Sequence, residues 1–232
     1  MLSYHEGSNE LIIATKSSLN GLMVNILKEL TDEKFTKEDL TDLKHFLRIK
    51  SATMVIEAVD PIRDPHIITY ENNRIYLLDL IYNELEFSKK TYVNLKSDAE
   101  KFNMKHKKLL ETLHTFEELE LWYKKVSSLD FNPAVPFEGF VLEDAAFNML
   151  KVKTKYYQFW KSMRTVAEYI KRDKKVKLKD LTNFTGGLFF KWLCKNPSLY
   201  QTTINLPELR KQFLVDNDFS EIQDTDEKYL LK

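Results

Sequence analysis

Apolar and polar residues alternate along some stretches of this chain and recur at every third or fourth position along others, and the two periods separate strands from helices. Residues 11–16 read as a short strand after a turn at Glu6-Gly7-Ser8-Asn9, and residues 18–30 and 37–49 carry helical spacing. Residues 53–59 are β-rich and apolar except for Glu57, and Asp60-Pro61 stops them. Residues 67–70 and 74–79 read as a hairpin across Glu71-Asn72-Asn73. A helix over 95–102 and a strand over 108–113 follow. The next helix runs from 115 to 125, where Thr115 and Glu118 fit a capping box. A loop over 131–136 leads to two short strands, 138–141 and 150–154, joined by a polar turn at Glu143-Asp144. From Tyr156 the texture is helical, through Ile170, again over 178–193 and 207–215, before a frayed acidic end from Asp216. This succession predicts an α+β protein, with antiparallel sheets and flanking helices over 1–154 and a small all-helical region over 155–232.

Composition narrows the class. Of 232 residues, 43% are hydrophobic and 30% charged, the balance of a folded globular chain long enough for one sizeable domain and an appendage. No apolar run approaches the roughly 20 residues that a membrane helix needs, and the first residues lack the basic and apolar regions of a signal peptide. The single cysteine, Cys194, excludes an internal disulfide framework and fits a reducing compartment, so a cytoplasmic protein with no membrane partner is expected. The 35 basic and 35 acidic residues cancel, which weakens any whole-surface attraction for nucleic acid and still allows a local basic groove. None of the five histidines is spaced with Cys194 as a zinc site requires.

A few positions carry candidate chemistry. Glu57 sits in an otherwise apolar strand, where a carboxylate must reach either solvent or a polar partner. Strand alternation turns Lys151 and Lys153 the same way, two ammonium groups from one face, and Glu138 on the neighbouring strand can approach that face. Opposite charges converging on one pocket suit a site for a phosphoanhydride and a metal ion. Each feature alone has a plainer account: a carboxylate at a strand edge, the wet side of a sheet, and a solvated helix end for the basic run over 171–179. Phe189, Phe190 and Trp192 fit the core of the helical region better than a stacking platform for bases.

Order and spacing add what the single residues lack. The segments Ile56-Glu57-Ala58, Ile75-Tyr76-Leu77-Leu78-Asp79, Glu138-Gly139-Phe140-Val141 and Lys151-Val152-Lys153 occur in that order, with Thr154-Lys155-Tyr156-Tyr157 after them. In this they resemble the covalent nucleotidyltransferase superfamily and, more closely, ATP-dependent RNA ligases of the phage tRNA-repair type, over residues 10–165. The resemblance implies a nucleotidyltransferase core over 1–154. It implies that Glu57 accepts hydrogen bonds from the adenosine ribose and that Tyr76 packs against the base. Glu138 would place a divalent cation and the adenylate, while Lys151 and Lys153 would bind the α-phosphate. Lys16, in Thr15-Lys16-Ser17-Ser18, resembles a nucleotide-binding segment of Lys-Gly-Ser type, with Ser17 where the family has glycine. The implied cofactors are ATP and Mg2+, with Mn2+ as a substitute. The implied partner is RNA with 3′-OH and 5′-phosphate ends, tRNA among them, joined through an adenylylated intermediate in RNA repair.

One departure bears on activity. The family's nucleophilic lysine lies in Lys-x-Asp/Asn-Gly-Ser, and that motif does not occur between Met1 and Lys232. In relatives it precedes the segment matched by residues 4–16, so this chain is expected to be an N-terminally incomplete or inactive form with little or no activity by itself. The alternative is a non-catalytic RNA-binding or structural protein that keeps the ligase fold. A DNA ligase or capping enzyme fits less well, because no downstream segment indicates an appended β-barrel.

Overall fold

In the computed structural model, which describes residues 1–128, 136–177, 181, 183–200 and 205–219, the chain opens with a hairpin. Strands β1 (Leu2–His5) and β2 (Glu10–Ile13) pair antiparallel with Leu2 opposite Ile13. Leu2, Tyr4, Leu11 and Ile13 alternate toward the core, and Asn9 takes the left-handed conformation that lets so short a turn close. Strand β1 was not expected; four residues ahead of the Gly7 turn are too few for a period to stand out.

Helices α1 (Leu22–Lys34) and α2 (Lys37–Lys50) follow, the second opened by a reciprocal capping box between Thr36 and Asp39. Then come β3 (Ala52–Val59), β4 (Arg74–Tyr82), α3 (Tyr92–Lys101) and β5 (Lys105–His106). The sheet order is β2-β1-β3-β4-β5, antiparallel except for the short parallel pairing of β5 with β4. One sheet face, with Leu2, Met54, Leu77 and Leu80, packs on Ile26 and Leu30 of α1, Leu43 and Leu47 of α2, and Leu95 of α3. These side chains are essentially removed from water, and each contributes on the order of 1.5–3 kcal/mol.

Two expectations are corrected here. The hairpin of 67–70 with 74–79 does not form: β4 pairs with β3, from Ala52 opposite Tyr82 to Val59 opposite Arg74. The apolar pair Ile67 and Ile68 is buried without joining a strand. The strand over 108–113 is also absent; β5 lies at Lys105–His106, and Leu109 and Leu110 are exposed. An apolar pair between charged neighbours offers no alternating face for a sheet to bury.

The chain divides into two compact units, Met1–Asp64 with Tyr70–Leu110, and Pro65–Thr69 with Glu111–Lys232. The 154/155 division expected from sequence lies within the second unit. That unit contains α4 (Phe116–Ser128), the two-stranded sheet β6 (Gly139–Glu143) and β7 (Met149–Lys153), α5 (Lys155–Lys171), α6 (Phe184–Lys195), a 3-10 turn (Pro197–Leu199) and α7 (Leu206–Asp216). The expected capping box opens α4: the Glu118 amide donates to the Thr115 hydroxyl at 3.2 Å, and the Thr115 amide to the Glu118 carboxylate at 3.3 Å. Of the expected 131–136 loop, residues 131–135 lie outside the described residues, as do 178–180 of the expected 178–193 helix and the tail from 220.

Trp160 of α5 is fully buried at the centre of the helical part, with Phe159, Phe189 and Phe213 around it at ring separations of 5.0, 5.5 and 6.2 Å. Of the three aromatics expected in this core, Phe189 and Trp192 are buried and Phe190 is half-buried. Among the described residues, no helix is long and apolar enough to cross a membrane.

Candidate active site

In the first unit the sheet face opposite the core is mixed, with Ser3, Thr53, Glu57, Tyr76 and Asp79 beside Val55 and Ile81. Glu57 of β3 stands directly across from Tyr76 of β4, so the two side chains share that face, both half-buried. The Tyr76 hydroxyl accepts a hydrogen bond from Arg74 at 3.2 Å. A register shift between Val55 and Ile56 then places Asp79 opposite Val55. Without this bulge, Asp79 would point into the apolar core; with it, Asp79 joins the face of Tyr76 and Glu57.

Asp79 is 6% exposed and gathers two cations there. Its Oδ2 accepts from Lys89 at 2.7 Å and from Lys107, just beyond β5, at 3.2 Å. The face therefore carries an acid in reach of a ligand beside a buried acid held between two lysines. Sequence reading marked Glu57 and Tyr76 and gave no role to Asp79, Lys89 or Lys107. The lone carboxylate in Leu78-Asp79-Leu80 was the available signal, but its cations come from positions fixed only by the fold.

Lys16 is exposed in a turn beyond β2, closed by the Thr15 amide donating to the Ser18 carbonyl at 2.9 Å. Strand β2 is the sheet edge, and β1 lies between it and the strand of Glu57. The fold does not bring Lys16 onto the Glu57–Tyr76 pair.

In the second unit, β6 and β7 pair as the sequence indicated, with Gly139 opposite Lys153 and Val141 opposite Lys151. Asp144 organises the turn, accepting from the amides of Ala146 at 2.9 Å and Asn148 at 2.8 Å. These bonds hold the Asp144 carboxyl below its ordinary pKa, the Asn148 side-chain bond contributing most. The aromatic rings of Trp122 and Phe137 pack against Phe140 at 5.1 and 4.9 Å, which anchors the hairpin.

Lys153 and Glu138 meet: the Lys153 ammonium donates to Glu138 Oε1 and lies 4.5 Å from the centre of the Tyr157 ring. Their side chains are 32% and 40% exposed, so both remain open to a ligand. Lys151 is exposed two residues earlier on the same strand face. Thr154 caps α5, accepting from the Tyr157 amide at 3.2 Å, and thereby orients the ring beneath Lys153. Tyr157 was quoted in the sequence motif without a role; its ring contact is what the structure adds.

Glu138 supplies a hard carboxylate oxygen. Among the described residues no group of three His, Cys, Asp or Glu side chains stands ready to hold a metal. That donor set fits Mg2+ as it commonly binds, through one or two carboxylates with waters and phosphate oxygens completing the octahedron.

Comparison with known proteins bears on the whole arrangement. A family model described as RNA ligase matches residues 2–157. None of the curated proteins matches the chain. A solved structure from Aquifex aeolicus, provisionally assigned as an ATP-dependent DNA ligase, aligns with 16% identity and a TM-score of 0.41, over 79% of this chain and 51% of that one. The chain thus spans about half the length of that structure.

Proposed function

The chain belongs to the RNA ligase family, and from that premise we propose that it acts in joining a 3′-hydroxyl to a 5′-phosphate RNA end through an adenylylated intermediate, as in RNA repair, with tRNA among its substrates. The observation that carries the reading is the ion pair of Glu138 with Lys153, accessible and seated over Tyr157, beside exposed Lys151. In this reading residues 1–154 form the nucleotidyltransferase core and 155–232 a helical region that helps hold RNA.

The step these residues suit is final sealing. The 3′-hydroxyl oxygen attacks the phosphorus of an adenylylated 5′-end, a phosphodiester forms, the bond to AMP breaks, and the hydroxyl proton passes to solvent. Lys151 and Lys153 hold the phosphate whose charge is redistributed, and Glu138 fixes the Lys153 ammonium in place. Orientation and fixed charge are the main levers in phosphoryl-type transfer. Glu138 would also hold Mg2+, which when bound supplies further neutralisation of phosphate charge. Glu57 and Tyr76 are assigned to the ribose and the base of the adenylate, and ATP is the adenylyl donor; Lys16, beyond the edge strand, is left out of these contacts.

The test is sealing of a nicked RNA carrying a pre-adenylylated 5′-end, with Mg2+ and without ATP, so that no enzyme nucleophile is needed. Because the chain lacks Lys-x-Asp/Asn-Gly-Ser, it is read as an incomplete form whose sealing is weak; that weak sealing, abolished in Glu138→Ala while RNA binding survives, is the expected result. Sealing unchanged in Glu138→Ala would remove the site assignment. RNA binding without any sealing would favour the second reading, a non-catalytic RNA-binding protein, which the lack of Lys-x-Asp/Asn-Gly-Ser in the sequence supports.

A further inference from the structure

Charge is segregated within the second unit. From Lys151 to Lys177 the chain carries ten lysines and arginines against two acids, Glu168 and Asp173; since the whole chain is neutral, the remainder carries a deficit of eight. All ten basic residues except half-buried Lys153 are exposed. Helix α5 buries Tyr156, Phe159, Trp160, Met163, Val166 and Ala167 along one side. At about 100° per residue, Lys161, Arg164, Lys171 and Arg172 fall within an arc of roughly 100° turned away from that side.

The first turn of the helix is charged against the dipole, whereas Lys171 in the last turn is charged with it. Its first turn holds no acid, and its first residue is Lys155. A helix shaped for its own stability carries acids at that end, where the macrodipole is positive. Here cations and dipole add, and an incoming anion would offset both. Lys151 and Lys153 lie on the strand that runs through Thr154 directly into the first turn of α5.

Resting on the ligase reading above, we infer that the outer side of α5 and residues 172–177 form a track for the backbone of an RNA strand, leading along the chain from the lysines of β7. The 17 residues of α5 span about 25 Å, alongside which a strand rising about 3.4 Å per nucleotide presents roughly seven phosphates. Nucleic acid fits this surface better than a protein or a membrane. Among residues 151–177 no large apolar side chain is exposed, whereas protein hot spots and surface-lying membrane helices both need one.

The experiment measures binding of the full chain to a fluorescein-labelled oligouridylate over a range of KCl, without ATP or divalent cation. A triple variant, Lys161→Gln, Arg164→Gln and Lys171→Gln, is compared with an equal charge change in the first unit, Lys28→Gln, Lys37→Gln and Lys50→Gln, all exposed. Three lost phosphate contacts should flatten the slope of log K against log salt by about 2 and weaken binding roughly tenfold to a hundredfold near 0.1 M salt. The control triple should leave both unchanged. Equal effects of the two triples, or a parent chain with no salt slope, would overturn the track. Phosphatidylserine vesicles bound as tightly through the same three residues would overturn its assignment to RNA. Because no chemistry is read, track binding by a chain that seals nothing would defeat the ligase reading alone. Sealing by a chain whose two triples bind RNA alike would defeat the track alone.

Discussion

Gly139 is held by geometry rather than chemistry. Its φ of +146° lies where other residues are strained, and a Cβ there would meet the Val152 carbonyl oxygen at 2.2 Å. Any side chain at 139 must push β6 away from β7 and carry Glu138 off Lys153. Gly139→Ala should cost about 1–3 kcal/mol, read by denaturant unfolding. It should also lower sealing of a pre-adenylylated end; unchanged stability would show that the hairpin tolerates the side chain. Asp60, nearly buried at the end of β3, carries a pH signal. Burial pushes its pKa up, but this is outweighed by bonds from the Arg63 amide, the Arg63 side chain and the Ile62 amide, so the pKa lies below the ordinary carboxylate value. A depressed folded-state pKa stabilises above the ordinary value and loses that contribution as pH falls through the folded one. Asp60→Asn should therefore cost stability near neutrality, and the gap between parent and variant should close as pH falls below the ordinary carboxylate value and through the lowered folded-state one. A gap constant with pH would mean that Asp60 acts without its charge. The sequence identified Glu138 and Gly139 as a motif, but not that the glycine is needed for a carbonyl to pass so close.

Local signals among the elements were legible, and pairings were not. The capping box at Thr115 and Glu118 was readable because its partners lie three residues apart. Strands β3, β4, β6 and β7 were legible from their apolar residues and turns. The false hairpin at 67–70 arose because two apolar runs about a polar turn look the same whether they pair with each other or with something distant. Arg210 of α7 shows where that segment goes within the second unit. It is 2% exposed, donates to the Ile67 carbonyl and the Thr69 hydroxyl, and lies over the rings of Tyr156 and Trp160 at 5.8 and 5.9 Å. An arginine 143 positions away from its acceptor leaves no trace in any local pattern. Arg210→Met keeps the bulk and orphans the carbonyl of buried Ile67, at an expected cost of about 1–3 kcal/mol, while the hydroxyl of exposed Thr69 turns to water. Thermal unfolding should read this as a fall of several degrees for a chain this long; an unshifted midpoint would mean that water replaces the guanidinium.

At the scale of the molecule, net neutrality conceals a basic stretch of the second unit, and a total cannot report where charges stand. The sequence alone determined the α+β class, the order of the ligase-like motifs, and the presence of Glu57, Tyr76, Glu138, Lys151 and Lys153. Those properties depend on residue type and short-range period, which the chain displays directly. Tertiary structure decided the rest: β4 joined to β3 rather than to 67–70, Asp79 rotated by a bulge beside two lysines, and Lys16 left at the sheet edge. It also closed Lys153 onto Glu138 above Tyr157. Each of these is a long-range pairing or a one-residue change of register, and both arise when distant apolar faces are buried together.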